Sequence, residues 1–527
     1  MSEVPKYHGR VKPSLISKAL SRFNEYKSAK TDLMARVKDN NRLYRQQYAR
    51  MYNPTDSTTH PATGFVFSAV ENKFADAVDN FPVPNVLERE ERDEYTAQLL
   101  SKILPVQLDE SDFKHAYKKV WRSKLKHGTG IYGVFYNDSL ATVDITAPDI
   151  LNVYVDMHIE DPQDSQFLFI CNAIDNDTLC AMYPRYRALF EGTCTVDTVE
   201  GSNTLADHTI ITDCYYKRTK RTQDGRIVKQ VHLIKLCGEH VIDASLDHPQ
   251  TADGLYSHGL YPVVFDTLYP IEGCPFGFGL IDVIKNPQAY VDKLDGLIIR
   301  NAMISGKQRF IVRDSGGINE QEFLDYSRDI IHAAGSIEDN NVRAFQASAL
   351  PAFVMTHRKE KIDELKEVVG NRDFQQGGVN SNVTSGTAIN MLQQAGEKLS
   401  RSMIDSSYDA YAKVVLMVIE LMREFYTQER VYRITGQDGV NTFEAFDSDM
   451  LYHQERDAFG IVADKKPALF DVEVIPEKKN PLTREVTNEM LLKLWSAGLL
   501  TGQAPTAKAV LECMNFEGKE KLLKSLG

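Results

Sequence analysis

A short polar loop that opens into an exceptionally long run free of proline constrains this chain more than any other feature. Residues 371–386 are rich in glycine, amide and hydroxyl side chains, carry almost no net charge, and end at Gly386. Beyond them apolar residues recur at Ile389, Leu392, Leu399, Met403, Tyr411, Val414, Val418, Leu421 and Phe425, the i, i+3, i+4, i+7 rhythm of a helical face. Uninterrupted, about 40 residues at a rise of 1.5 Å make a rod of roughly 60 Å, against a mean helix of about 11–12 residues. Such a rod is expected to outrun one compact domain and to need neighbours, so the segment reads as an assembly element and not as an active site.

The 527 residues allow about two to four modules. A formal charge of −12, from 73 acidic and 61 basic side chains, argues against a tight, sequence-independent grip on nucleic acid, which needs clustered lysine and arginine. It leaves room for DNA that passes without being held. The seven cysteines are widely spaced and include no C-x-x-C pair, which disfavours a disulfide framework or a zinc site and favours free thiols in a reducing compartment. The amino terminus has no signal-peptide core, and the most apolar run, 414–419, is far shorter than a bilayer span. Synthesis and assembly in cytosol are the expectation, with no membrane contact.

Along the chain the period of the apolar residues changes. Helices are expected over 14–50, 65–80, 93–103 and 112–127, the second stopping at Pro82 and Pro84. Strands follow over 131–136, 141–145, 151–155, 167–171, 210–217, 228–236 and 261–266. After the glycine-rich stretch 273–279 the chain turns helical to residue 304, with Pro287 after Asn286 marking an end or a kink. That helix separates an apolar face (Leu280, Ile284, Tyr290, Leu294, Leu297, Ile298) from one of alternating charge (Asp282, Lys285, Asp292, Lys293, Arg300). A small insert comes next, with strands at 310–312 and 342–346 around a helix at 319–332, and then a helix over 353–369. Strands at 431–434 and 470–475 and a helical tail from 483 complete the reading, an α+β, mostly helical fold class.

No P-loop, H-E-x-x-H, G-x-S-x-G or dinucleotide fingerprint occurs. His115 and His127 flank a helix too far apart to share a metal-binding turn, and the many acidic residues form no assignable two-metal pattern. No catalytic residue, metal or cofactor is expected.

The order of helix, small α/β insert, helix, polar loop and very long helix resembles the portal proteins, or head–tail connectors, of tailed bacteriophages. The motifs that carry the resemblance are the helix-to-strand step at His127, Gly128, Thr129 and Gly130; the approach to a stem helix at Pro275, Phe276, Gly277, Phe278 and Gly279; the start of a long helix at Thr384, Ser385, Gly386, Thr387 and Ala388; and the 470–474 strand with Pro481 and Met490 beyond it. The resemblance implies a wing over 1–278, stem helices at 279–304 and 352–370, a clip at 305–351, a tunnel loop at 371–386, a long wing helix with wing strands over 387–479, and a crown over 480–527. It implies a closed, usually dodecameric ring at one capsid vertex, through which double-stranded DNA is packaged and ejected. The implied partners are the terminase large subunit, the major capsid protein and scaffold, and head-completion or tail adaptor proteins. The implied location is the virion, after assembly in the bacterial host cytoplasm.

On this reading Gln375, Gln376, Asn380, Ser381, Asn382 and Thr384 of the loop, and Lys285, Lys293 and Arg300 of the stem, face DNA. Lys307, Arg309, Glu320, Asp325 and Arg328 of the clip dock terminase or adaptors. Taken by themselves, the loop is equally an ordinary helix–helix connection and the charged face a solvated helix surface. Another virion structural or scaffold protein, and a metal-dependent nuclease, remain the rival readings.

Overall fold

A computed structural model of the chain describes residues 7–47, 63–190, 193–198, 201–221, 227–306, 309–312, 321, 342–345, 350–370, 398–435, 441–456, 462–478, 491–493 and 495. The chain divides into two compact units. The larger comprises residues 1–41, 69–282 and 393–527; the smaller comprises 42–68 and 283–392. Helices and antiparallel strands are segregated along the chain, the α+β arrangement expected.

The amino-terminal helix expected over 14–50 is two helices, α1 (Pro13–Ala29) and α2 (Thr31–Tyr44). The break falls at Lys30, whose side chain is buried: its ammonium donates hydrogen bonds to the carbonyls of Ile150 and Val153. The same nitrogen lies 4.6 Å from the Tyr154 ring and 5.2 Å from the Phe276 ring. Burial pushes this lysine from near 10.5 down to about 7, outweighing the Asp149 carboxylate, which favours the charged form. Between those two values the unfolded chain holds a proton that the folded chain releases, so this group makes stability rise with pH from about 7 to 10.5. Unfolding of wild type and Lys30→Met, compared at pH 6 and pH 10, is therefore expected to show the variant gaining on wild type toward low pH; parallel pH profiles would contradict the assignment.

After α3 (Phe65–Asp79) the chain does not stop at its prolines but enters strand β1 (Asn80–Glu88). This strand pairs with a single neighbour, β20 (Phe470–Lys478), in a two-stranded sheet with Pro84 opposite Val474. A strand with one partner tolerates residues that cannot donate to a second ladder. Helix α4 (Glu94–Glu110) likewise runs through Pro105 beyond the expected end, because Leu104, Gln107 and Leu108 of its last turns are all buried. Helix α5 (Phe113–His127) then ends at Gly128, whose φ of +93° favours glycine. Two residues on, a Cβ at Gly130 would stand 2.5 Å from both the side chain and the carbonyl of Val120, so β2 (Thr129–Asn137) packs on α5 only with glycine there. The helix-to-strand step read from the sequence is thus two separate steric demands.

Strand β2 is the centre of a three-stranded antiparallel sheet with β3 (Thr142–Thr146) and β11 (Val263–Thr267). A five-stranded sheet runs in the order β10 (His240–Ala244), β9 (Ile227–Cys237), β8 (His208–Arg221), β5 (Phe167–Asp175), β4 (Val153–Tyr154). It is buried on both faces. Phe167, Phe169, Cys214, Tyr216, Ile234 and Leu236 join Ala19 and Tyr26 of α1 in one core, while Leu168, Ile170, Tyr215 and Val231 join Leu33 and Val37 of α2 in another. Successive side chains of β5 point to opposite sides, so a strand with core on both sides reads as a continuous apolar run. Helix α6 (Asn176–Met182) and the pair β6 (Thr193–Thr198) and β7 (Gly201–Ala206) fill the connection between β5 and β8. The stretch expected as a mere turn before residue 279 contains β12 (Tyr269–Ile271) and β13 (Cys274–Phe278), an antiparallel pair. Helix α7 (Leu280–Gly306) follows.

Beyond it lie β14 (Arg309–Val312), β15 (Val342–Phe345), α8 (Ala352–Val369) and the long helix α9 (Lys398–Phe425). Three antiparallel pairings follow: β16 (Arg430–Thr435) with β17 (Asn441–Phe446), β18 (Tyr452–Arg456) with β19 (Val462–Pro467), and β20 with β1.

Candidate functional site

Helix α7 begins where the Gly279 amide donates to Asp282 Oδ2 at 3.0 Å, an acidic residue of the first turn answering an unpaired amide. The helix does not end at Pro287 but runs through it, 27 residues in all. Proline there removes one intrahelical bond, while buried Ile281, Ile284, Gln288 and Val291 hold the helix on either side. Within the smaller unit, Thr63 donates from its amide and its hydroxyl to Asp292 Oδ1, at 3.0 and 2.7 Å, and Gln288 Nε2 donates to the same oxygen at 3.0 Å. Burial raises the Asp292 carboxyl above the usual range, with these hydrogen bonds working against the rise. Asp282 and Asp292 therefore serve the fold, and the alternating-charge face loses two of its acids.

What the face keeps is basic. Lys293 and Arg300 are exposed and Lys285 is half-buried, and at 3.6 residues per turn the three fall within one stripe of about 80°. Lys293 Nζ sits 5.8 Å from the Tyr290 ring. Facing α7 in the same unit, α8 is tied to it by Arg358, which grips Asp295 with two nitrogens, Nη2 to Oδ2 at 3.0 Å and Nε to Oδ1. Gly370, at φ +73°, caps α8. The two insert strands pair as anticipated, β14 antiparallel to β15 with Arg309 opposite Phe345. Lys307, Glu320, Asp325 and Arg328 lie outside the described residues, as do all six loop residues (Gln375, Gln376, Asn380, Ser381, Asn382 and Thr384) and the start of the long helix.

The described part of α9 departs from the one-sided rod that its periodicity suggests. From Tyr411 to Tyr426 only Lys413 and Leu416 are exposed, and the helix packs on β2, β11, β1 and β20 of its own unit. Its neighbours are supplied by the same chain. One buried polar cluster locks it in place. Lys124 of α5 donates to Asp266 Oδ1 at 2.6 Å, to the Met403 carbonyl at 3.2 Å and to Ser406 Oγ at 3.1 Å, while Ser407 donates to Asp266 Oδ2. Both charged side chains are fully inaccessible, and Lys124 Nζ rests 4.7 Å from the Trp121 ring.

A second cluster holds the far end of α9. Gln107 Oε1 accepts from the hydroxyls of Tyr426 and Tyr432 at 3.0 and 2.9 Å, and its amide donates to Ser111 and Thr142. Neither hub was anticipated from the sequence. The available signal was a lysine at the apolar spacing of α5, in register with Phe113, Ala116, Tyr117, Val120 and Trp121.

Beside α9 a groove of about 530 Å³ lies open, lined by Leu260, Val263, Pro275, Leu416 and Met417 and rimmed by Glu160, Asp161 and Glu420. No helix among the described residues is long and apolar enough to cross a membrane. Comparison with curated proteins gives no match. Residues 74–526, most of the chain, match the family described as Phage P22-like portal protein, and the chain belongs to that family.

Proposed function

We propose that this chain forms a closed, dodecameric ring at one capsid vertex, and that the ring is the channel through which the terminase motor packages double-stranded DNA and through which the genome later leaves. The family match over residues 74–526 carries the reading. A portal protein is a structural component of the virion, and its mechanism is geometric, not catalytic.

The order α7, β14–β15, α8 supports stem helices at 279–304 and 352–370 with a clip at 305–351 between them. The wing comprises 1–278 and 387–479, and the crown 480–527. Lys285, Lys293 and Arg300 on one stripe give the stem cations too sparse to grip phosphates, since tight non-specific binding takes many simultaneous contacts. The loop 371–386 touches DNA through the amides and hydroxyls of Gln375, Gln376, Asn380, Ser381, Asn382 and Thr384. The clip residues Lys307, Arg309, Glu320, Asp325 and Arg328 dock the terminase large subunit and, later, the head-completion or tail adaptors. The major capsid protein and scaffold meet the wing. The groove beside Leu416 is an apolar surface of the kind a heterologous ring contact covers.

Negative-stain electron microscopy with native mass measurement tests the architecture. Rings of about twelve subunits with an axial hole wide enough for duplex DNA are expected; filaments or sheets without a hole, or monomers that cleave DNA with added metal, would replace this reading. Deleting 375–381 is expected to leave rings intact and to impair packaging or retention of DNA. Full-length packaging by that deletion would remove the loop from the channel.

A further inference from the structure

We propose that Glu90, Asp93 and His453 bind one divalent transition-metal ion of the zinc class, which staples strand β18 to the start of α4. Each of the three offers one ligand atom, and these atoms lie within 4.8 Å of one another. Glu90 and Asp93 lie three residues apart, but His453 is far along the chain, so no complete ligand-spacing motif marks the set.

Three observations separate this cluster from a chance gathering of charge. Asp93 stands at the N-cap of α4, where a carboxylate ordinarily accepts from the first free amides of the helix; here it makes no such bond. The residue is 5% exposed, and its Oδ2 is buried and accepts no hydrogen bond. That oxygen faces His453 Nε2 at 3.3 Å. A charge-assisted hydrogen bond would draw the two to about 2.7–2.9 Å. Two ligands on one tetrahedral ion, each bonded at about 2.0–2.1 Å, stand about 3.3–3.4 Å apart. The spacing is that of co-ligands.

Glu90 completes the set from the exposed side. One of its oxygens pairs with Arg92 Nη2 at 2.6 Å, leaving the other for the ion. An imidazole with two carboxylates suits zinc or manganese, whereas calcium and magnesium prefer oxygen alone. Solvent at Glu90 supplies the fourth position. The ion would close a loop between the amino-terminal body and the carboxy-terminal strands, whose strand pairing with that body among the described residues is that of β20 with β1.

The test uses the full-length, tag-free protein after chelation. Calorimetric titration with Zn²⁺ is expected to show one saturable site per chain, a rise in melting temperature with zinc, and no comparable response to Mg²⁺. Replacing even an outer-shell partner of a metal ligand weakens binding about 10–100-fold. Glu90→Gln, at an exposed position, and His453→Gln are therefore each expected to lose at least that much while keeping the wild-type fold by circular dichroism. If zinc gives no saturable binding, or both variants bind as wild type does, Asp93 and His453 are an ion pair only and the proposal is overturned.

Discussion

Lys124→Ala is expected to destabilise the larger unit by about 3–5 kcal/mol, the range for breaking a buried ion pair from one side. The lysine is the main partner of a carboxylate with no access to water, and its removal leaves Asp266 with the Ser407 hydroxyl alone. It also strips the Met403 carbonyl and Ser406 of a donor on the long helix. The loss is large against a total of about 5–15 kcal/mol for a folded protein. Its signature is non-additivity. In Lys124→Met with Asp266→Leu both charges are gone, and apolar replacement of a buried pair is often neutral, so the double variant should recover most of the single variant's loss. Urea unfolding followed by fluorescence of Trp121, which lies against Lys124, measures both. A single variant within about 1 kcal/mol of wild type, or a double variant no better than the single, would show that the pair does not anchor α9.

How much of this was legible in the sequence depended on range. The step from α5 to β2 was readable because Gly128 takes a positive φ at the helix end and Gly130 packs on Val120, only ten residues back on α5. Strands β4, β5, β8 and β9 of the five-stranded sheet, the insert pair β14–β15 and helix α8 were readable because local period and turn residues suffice; the edge strand β10, only five residues long, was not. Strand β1 was not. Its partner β20 lies far along the chain, so that Asn85 and Glu473, 388 positions apart, share a hydrogen bond, and only that pairing makes a strand of a proline-bearing segment. Helices α4 and α7 overran their prolines for a related reason: burial of Leu104, Leu108 and Val291 outweighs one missing backbone bond. The polar hubs at Lys124 and Gln107 and the cluster at Asp93 were hidden because polar residues in an apolar stripe reveal that they have partners, not which. The acids of α7 misled in the opposite direction, since alternating charge looks solvated until Thr63 and Gln288 are seen to occupy Asp292.

The long helix carries the other large effect. Val418→Asp is expected to abolish soluble folding of the larger unit, because Val418 is wholly buried and its neighbours on almost every side (Val414, Val415, Leu421 and Met422) are buried with it. A carboxylate there has no donor to meet, and an unpaired buried charge costs several kcal/mol, roughly the whole margin of a domain. Two positions away, Leu416 is 38% exposed beside the groove, and Leu416→Asp is expected to change the melting temperature little, as surface substitutions cost within about 0.5 kcal/mol. The pair therefore separates two roles of one helix. If α9 were a rod held only by copies of itself, both substitutions would leave a folded monomer and lose rings. Because the described part of α9 is instead the core of its own unit, only Leu416→Asp should yield folded protein, and any loss of rings from that variant would identify the groove as a contact between subunits. Soluble yield, circular dichroism melting and ring counts on the two variants decide it, and a Val418→Asp protein that melts like wild type would show that the helix is not core.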